Sequence, residues 1–173
     1  MDSISLKAEL VSRYRPPQPK SSPYITREGY DALKEEEKAI WLKRREVTAA
    51  LSAAAAEGDR SENAEYLYRK KELRALDRRI RYLQKRVPEL TVIDRQVSGN
   101  KIYFGATVTL ACGDETMLVR IVGSDEINPA KRHISIDSPL ARALLKKQTD
   151  DEVIIHVEGQ SREYCVLDVQ YPD

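Results

Sequence analysis

The stretch KKELRALDRRIRYLQKRVP, residues 70–88, contains the pattern that decides the fold. Its apolar residues recur in alternating steps of three and four: Leu73, Leu76, Ile80, Leu83 and Val87. This spacing places them on one side of an α-helix, and Pro88 ends the pattern because proline cannot continue a helix. The stretch therefore predicts a helix with an apolar seam, which must be buried against another element.

A second apolar seam precedes the first in the chain. Thr26, in the stretch ITREGYDAL, can cap the start of a helix. Apolar residues then recur every seven positions: Leu33, Ile40, Val47 and Ala54. Adjacent amphipathic helices separated by a short break, here at Gly58, bury their seams most readily against each other. We therefore expect an antiparallel coiled-coil hairpin, a rod of about 40 Å with an acidic tip.

The register of this hairpin follows from counting outward from the turn. Leu51 should meet Leu67 near the tip, and Leu33 should reach residues 83–87 at the base. The hairpin is predicted over residues 24–90. It follows a proline-rich tail, residues 1–23, which we expect to be extended and flexible because its four prolines forbid a continuing helix.

The second half of the chain, residues 91–173, changes to short β-prone runs separated by turns. Strands are predicted at 101–110, 116–123, 133–137, 152–157 and 164–171. Between the third and fourth runs, SPLARALLKK predicts a short helix with Ser138 as its cap and Pro139 at its first position. The predicted fold class is α+β, a helical hairpin followed by a small antiparallel sheet with one helix.

Charge is distributed unevenly along a chain whose net charge is only +1. Residues 58–86 contain ten Lys and Arg against five Asp and Glu, whereas residues 91–173 contain nine against thirteen. The two regions therefore differ electrically, which suggests that they contact different partners.

The connection between the helices is acidic. The stretch EGDRSENAEY, residues 57–66, contains four carboxylates: Glu57, Asp59, Glu62 and Glu65. In a structural interpretation Asp59 caps the second helix and Glu62 reaches back to it, although Ser61 and Asn63 are available as ordinary caps. In a functional interpretation Asp59 and Glu62 bind Mg²⁺ weakly, because this ion needs more oxygen ligands than two carboxylates provide. The tip would then be half of a metal site that another molecule completes.

A basic stripe follows the tip. On a helical wheel, six residues lie opposite the apolar seam: Lys70, Lys71, Arg74, Arg78, Arg81 and Lys85. An ordinary solvated face would mix both signs of charge, but Glu72 and Asp77 fall outside this arc. A stripe of one sign suits a polyanion such as a nucleic-acid backbone. Tyr66 and Tyr68 could stack on a base or simply pack.

Other functional patterns are missing from the sequence. The two cysteines, Cys112 and Cys165, have no CxxC spacing, and His133 and His156 lie far from the acidic stretch, so we expect reduced, buried thiols and no zinc site. No glycine-rich phosphate loop or nucleophile pattern is present, so we predict that the chain is not itself an enzyme. No apolar run approaches the length of a membrane span, and we expect a soluble cytoplasmic protein without membrane contacts.

The stretch GDRSENAEYLYRKKELRALDRRIRYLQKRV closely resembles the hairpin tip and second helix of the bacterial Gre transcript-cleavage factors, and in particular their GreB branch. ITREGYDALKEE resembles the first helix of this family, and FGATVTL, RIVGSDEI and ISIDSPLARALLKK resemble its carboxyl-terminal domain. The resemblance covers about residues 24–172. It implies a coiled-coil hairpin followed by a globular domain with an FKBP-like fold.

The resemblance also implies a function and a partner. Gre factors bind bacterial RNA polymerase, insert the hairpin into its secondary channel and stimulate the polymerase's own cleavage of backtracked RNA. By resemblance, Asp59 would help to hold a Mg²⁺ ion shared with polymerase carboxylates, Glu62 would position or activate the attacking water, and Arg60, Ser61 and Asn63 would support them. The basic stripe would hold the 3′ segment of the nascent RNA. We expect the factor to act as a monomer and to bind no cofactor stably alone.

Two other functions are compatible with parts of the sequence. A non-cleaving modulator would bind the same polymerase channel, but the intact acidic tip argues against it. A prolyl isomerase would use the sheet half, whose aromatics are few: Tyr103, Phe104, Tyr164 and Tyr171. They form a thin lining for a proline pocket.

Overall fold

Two long helices form an antiparallel hairpin in this computed structural model, which describes residues 20–56, 63–94, 99–157 and 159–172. Helix α1 spans Arg27–Ala56 and helix α2 spans Ala64–Arg86. At 1.5 Å per residue, the 30 residues of α1 form a rod of about 45 Å. The predicted hairpin is confirmed.

The predicted seams form the buried side of each helix. All four heptad residues of α1 are buried: Leu33, Ile40, Val47 and Ala54. Ile80 and Leu83 of α2 join Leu33 in one buried cluster near the base, with Leu76 packed against it. Leu67, expected to meet Leu51 near the tip, is 51% exposed.

The base of the hairpin is closed by two short strands. Strand β1 (Tyr24–Ile25) pairs in parallel with β2 (Thr91–Val92), which follows a 3₁₀ turn at Val87–Glu89. The hydrogen bonds continue beyond the strands, from the Thr91 N–H to the Pro23 carbonyl at 2.8 Å. The chain therefore enters and leaves the hairpin at one place. It also follows that the end of the predicted flexible tail is bound, whereas residues 1–19 lie outside the described residues.

The second half folds as a five-stranded sheet in the order β5-β4-β3-β7-β6. Its strands are β3 (Thr107–Cys112), β4 (Glu115–Val122), β5 (His133–Ser135), β6 (Glu152–Val157) and β7 (Gln160–Gln170). Three pairs are antiparallel as predicted, but β4 and β5 are parallel, so the sheet is mixed. The connection 123–132 contains two 3₁₀ turns and brings the chain back before β5 starts, so that β5 runs in the direction of β4.

One face of the sheet packs against helix α3 (Pro139–Leu144), which lies where the sequence predicts a helix. The hydroxyl of Ser138 caps it by accepting from the Ala141 N–H at 3.2 Å. Ala141 and Leu144 are fully buried in a core with residues from four strands: Val108, Leu110, Ile121, Val153 and Val166. Local capping and alternation thus account for this half of the fold, and the predicted α+β class is confirmed.

The structure also bears on the predicted cysteines and on the length and hydropathy of the helices. Cys112 and Cys165 are unpaired, but both are only partly buried rather than buried. Cys112 is the last residue of β3, where the strand leaves the core. None of the helices within the described ranges is long and apolar enough to cross a membrane.

Candidate functional site

Asn63 holds together the two helices at the far end of the hairpin. Its Oδ1 accepts a hydrogen bond from the Tyr66 N–H at 3.0 Å and so caps α2. Its Nδ2 donates to the carbonyl oxygen of Ala54 in α1 at 2.8 Å. One amide side chain therefore satisfies an unpaired group at the end of each helix. It also fixes the start of α2 beside the end of α1.

The acidic tip itself, with Asp59, Arg60, Ser61 and Glu62, lies outside the described residues. Of the predicted tip residues only Asn63 is described, and it is one of the two ordinary caps that the sequence offered. The alternative in which Asp59 caps α2 does not apply to the start of this helix. By connectivity, Asp59 and Glu62 belong to the six residues 57–62 that join Ala56 to Asn63.

The basic stripe lies on the open side of α2. Five of its members are exposed: Lys71, Arg74, Arg78, Arg81 and Lys85. Within the described part of the chain, none of these five forms an ion pair or a side-chain hydrogen bond. The sixth, Lys70, is partly buried and has its ammonium 5.6 Å from the centre of the Tyr66 ring.

The other arginines of α2 have acidic partners. Arg69 binds Glu65 at 2.7 Å and Glu72 at 3.0 Å. Arg79 makes two hydrogen bonds with Glu36 of α1, at 2.6 and 2.7 Å, and these lower the pKa of the Glu36 carboxyl.

The remaining acid of α2 faces α1 as well. Asp77 accepts from the Nε of Arg44 at 2.7 Å. The acids of α2 are therefore bound to arginines outside the stripe, and no acid in the described ranges neutralises the charge of its five exposed members. An exposed row of cations without acidic partners is a surface on which a phosphate backbone can release its counterions.

A third set of polar residues lies at the base, where the hairpin meets the loop after β4. The guanidinium of Arg86 binds Asp125 through Nε at 2.8 Å, and its Nη2 donates to the Ser22 carbonyl at 2.7 Å and to the Ser124 hydroxyl at 3.1 Å. The side chains of Arg86 and Asp125 are only 11% and 3% exposed. Tyr82 also donates its hydroxyl to Asp125, and burial raises the pKa of Tyr82.

Glu126 connects the same loop to the start of α1. Its Oε2 accepts from the Thr26 N–H at 3.0 Å and from the Gly123 N–H at 2.9 Å, and its Oε1 accepts from the Thr26 hydroxyl. The Thr26 hydroxyl in turn accepts from the Gly29 N–H at 3.0 Å, so Thr26 caps α1 as predicted. The cap of the first helix is therefore held by a residue of the sheet domain.

A third acid, Asp137, binds the segment that leads into β1. It accepts from the Ser22 N–H at 2.8 Å and from the Ser22 hydroxyl. Burial by itself would raise the pKa of Asp137, but the two hydrogen bonds from Ser22 and the nearby Arg142 together lower it. We call Asp125, Glu126 and Asp137, with their hairpin partners, the joint.

Family comparisons cover both halves of this architecture. The model described as "Transcription elongation factor, N-terminal" matches residues 23–92, and the model described as "Transcription elongation factor, GreA/GreB, C-term" matches residues 97–171. Transcription elongation factor GreB of Xanthomonas axonopodis pv. citri is 52% identical over 165 residues, which are 93% of this chain and 98% of that protein. Transcription elongation factor GreB of Pseudomonas aeruginosa is 48% identical, covering 94% and 98%.

The chain belongs to the Gre family of transcription elongation factors, in its GreB branch. The resemblance predicted from the sequence is therefore confirmed. A solved structure similar to this Gre chain is Gfh1 of Thermus thermophilus, with 23% identity, a TM-score of 0.40 and coverage of 85% of this chain and 97% of that one.

Sequence reasoning missed the joint of this Gre factor. Arg86 is a charged residue on the seam side of α2, between Leu83 and Val87, and a cation in an apolar seam signals a buried acidic partner. The consecutive acids Asp125 and Glu126, in the short turn that follows β4, were a second signal. Neither signal identifies the partner residue. Arg86 and Asp125 are 39 residues apart in sequence, and Thr26 and Glu126 are 100 residues apart.

A metal site cannot be assigned to the described ranges of the Gre chain. No group of three or more His, Cys, Asp or Glu side chains there could hold a metal ion. The predicted Mg²⁺ ligand Asp59 is not among those residues, so its role and that of Glu62 stay predictions.

Proposed function

We propose that this Gre factor acts on bacterial RNA polymerase by inserting its hairpin into the secondary channel and stimulating the polymerase's own cleavage of backtracked nascent RNA. The observation that supports this most directly is the basic stripe, whose five exposed members have no acidic partner in the part of the chain that the structure describes. The stripe follows α2 toward the end of the hairpin that bears the acidic residues. A rod with a phosphate-binding side and an acidic end suits a nucleic-acid strand that leads to a reaction centre.

The stripe would hold the 3′ segment of the RNA. Its cations Arg74, Arg78 and Arg81 are exposed at successive turns of α2, where they can contact successive phosphates. Arg69 and Arg79, on the same helix, would contribute less because each is already bound to carboxylates. Tyr68, which is 59% exposed, could stack on a base near the tip.

The tip would complete a reaction centre that lies in the polymerase. Mg²⁺ held there supplies two effects when it is bound, activation of water and stabilisation of the leaving oxygen. Asp59 would add a carboxylate oxygen to the ion's ligands, beside carboxylates of the polymerase. Glu62 would orient the attacking water and accept its proton, while the leaving 3′ oxygen takes up a proton and becomes the new 3′ end.

Asn63 gives this proposal a structural basis at the end of the hairpin. By bonding Tyr66 N–H and Ala54 carbonyl it fixes both ends of the connection that bears Asp59 and Glu62. Arg60 and Ser61 would support the same connection.

The decisive experiment is RNA cleavage in a backtracked bacterial elongation complex with Mg²⁺ present. The double variant Asp59→Asn with Glu62→Gln should bind polymerase as the unaltered chain does but lose cleavage by about a hundredfold or more. Glu65→Gln is the matched control, since Glu65 is an acid of the same stretch that pairs with Arg69. It should cleave normally.

Two results would count against the proposal. Retained cleavage by the double variant would show that the tip carboxylates are not used. Binding without shortened, extendable RNA by the unaltered chain would instead support a non-cleaving channel modulator. Action as a monomer in the cytoplasm also remains a prediction.

A prolyl isomerase function is less well supported. The sheet domain has a cavity of about 380 Å³ beside α3, lined by eight residues: Ile134, Ser138, Pro139, Leu140, Ile155, Gln160, Arg162 and Tyr164. Tyr164 is the one aromatic residue in this lining, and it is 8% exposed. A proline-binding pocket would need more aromatic surface to enclose the ring.

A further inference from the structure

We infer that Asp125 and Glu126 are positioning residues, which fix the angle at which the hairpin leaves the sheet domain and thereby the place that the acidic tip reaches. This inference rests on the proposed function for its effect on cleavage. The fixed angle itself can be measured without any activity.

The way the hairpin is connected to the sheet domain shows why contacts are needed to fix the angle between them. The chain passes from the hairpin to the sheet domain once, through residues 93–100, which follow β2. Everything else that sets the angle is non-covalent. The non-covalent contacts that the structure shows between the two parts are those of the joint, so they are the candidates for setting the angle.

The two acids hold different arms of the hairpin. Asp125 binds Arg86 and Tyr82 of α2, whereas Glu126 binds Thr26 at the start of α1. Because these neighbouring residues belong to one short turn after β4, rotation of the hairpin in either direction would break one set of bonds. Arg120 of the sheet adds a bond to Glu28 of α1 at 3.0 Å.

At two glycines the hairpin and the sheet domain approach each other too closely to leave room for a side chain. A Cβ at Gly29 would lie 2.1 Å from Oε1 and 2.5 Å from Cγ of Glu126. A Cβ at Gly123 would lie 2.2 Å from the carbonyl oxygen of Tyr24. Gly123 therefore allows the backbones of the two parts to approach each other, and Gly29 makes room for the Glu126 side chain that binds Thr26. A larger residue at either position would have to displace the opposite part or the Glu126 side chain.

Because the hairpin is long, a small change of its tilt at the joint produces a large displacement at its far end. From Gly29 to Ala56 the helix runs about 40 Å, so a tilt of about 5° would move its far end by about 3.5 Å. A misplacement of about 1 Å can reduce a reaction rate by about a hundredfold. A small change at the base would therefore reach the tip as a large one.

Gly29→Ala tests this idea without weakening the helix. Alanine favours helix over glycine, so α1 should stay intact while the added methyl group pushes against Glu126. Glu126→Ala loosens the same joint from the sheet side but keeps both partners of the hydrogen bond from the Gly29 N–H to the Thr26 hydroxyl that caps α1. Asp31→Ala is the matched control, since Asp31 is exposed on the same helix.

The angle is measured in the full-length chain with spin labels on Cys introduced at Ser52 of α1 and Thr116 of β4, both exposed, after replacing Cys112 and Cys165 by alanine. We expect the distance distribution to shift or broaden by about 3 Å or more in Gly29→Ala and in Glu126→Ala, as the tilt estimate requires. It should be unchanged in Asp31→Ala. An unchanged distribution in both joint variants would overturn the fixed joint.

The effect on function is measured with the same backtracked complex. Both joint variants should lower the maximal cleavage rate at saturating factor by about tenfold, as expected for a displaced catalytic group. The concentration that gives half of that rate should change by less than about threefold, because neither substitution changes the tip or the stripe. A displaced hairpin with an unchanged maximal rate would overturn the positioning role. If the unaltered chain does not cleave, the proposed function fails, and the distances still decide whether the joint is fixed.

Discussion

Arg86 and Asp125 form an ion pair that is almost completely removed from solvent, with 2.8 Å between Nε and Oδ2 and side chains only 11% and 3% exposed. The pair joins the last turn of α2 to the loop after β4. Charges buried to this degree are tolerated only when they are paired and their remaining hydrogen-bonding groups are satisfied. Arg86 meets this condition through Ser22 and Ser124, and Asp125 through Tyr82.

Loss of one partner of this pair should be costly. Asp125→Asn leaves the Arg86 guanidinium buried without a counter-charge, and we expect the free energy of unfolding to fall by about 3 kcal/mol. Urea denaturation followed by circular dichroism measures this. Asp94→Asn is the matched control, since the Arg27–Asp94 pair is 55% and 70% exposed and should contribute little. Equal, small effects of both substitutions would contradict a buried pair.

The hairpin should lose stability in acid through Glu36. Arg79 holds the pKa of the Glu36 carboxyl below its ordinary 4.5, so the pair stabilises the fold fully above about pH 4.5. That stabilisation is lost as the pH falls below this value and through the lowered pKa. In Glu36→Gln, the fall in unfolding free energy between about pH 5 and pH 3 should therefore be smaller.

A pH series of urea denaturations measures this difference. Glu35→Gln is the control, because the Glu35–Lys38 pair is 73% and 70% exposed, and its acid dependence should match that of the unaltered chain. An acid dependence that Glu36→Gln leaves intact would show that the pair with Arg79 has no part in it.

Asn63 should have two separable roles at the end of the hairpin. Asn63→Ala removes both the cap of α2 and the bond to Ala54, and should lower the free energy of unfolding by about 1–2 kcal/mol. Asn63→Asp keeps an oxygen that can accept from the Tyr66 N–H but loses the donor to Ala54, so its loss should be smaller. Hydrogen exchange at the Tyr66 amide should increase in the alanine variant and stay slow in the aspartate variant. Equal exchange in both would count against the cap.

The salt dependence of RNA binding should distinguish the contribution of the stripe from that of the arginines that are paired with carboxylates. Arg74→Gln with Arg78→Gln removes two charges without acidic partners, and should reduce the slope of log K against log salt by about 0.7 per lost phosphate contact. Arg69→Gln with Arg79→Gln removes the same charge from arginines that are bound to carboxylates, and should change the slope less. Binding of single-stranded RNA at several salt concentrations gives both slopes, and identical slopes would refute an RNA-binding stripe.

Local sequence patterns were sufficient for the helices of this fold. The step pattern through Leu76, Ile80 and Leu83 identifies the buried side of α2, and Ser138 with Pro139 identifies the start of α3. Each of these signals acts within one or two helical turns, so it can be read without knowing the rest of the fold. The open side of α2 follows from the same periodicity, which is why the stripe is exposed where the sequence places it.

The features that sequence reasoning missed depend on distant partners. Glu126 and Thr26 are 100 residues apart in sequence, and no periodicity connects them. The parallel pairing of β5 depends on the course of the preceding connection rather than on the composition of the strand. For the tip, the sequence names Asp59 and Glu62 as candidates, but their geometry lies outside the described residues.

The closed base of the hairpin, where β1 and β2 lie side by side, makes the hairpin an interchangeable module. A hairpin from another GreB could be exchanged by cutting before residue 22 and within residues 93–100, provided that Thr26, Gly29 and Arg86 are kept. In such chimeras the charge and length of the hairpin would differ while the sheet domain stays the same. Evolution could retune the reach of these factors in the same way, without rebuilding their core.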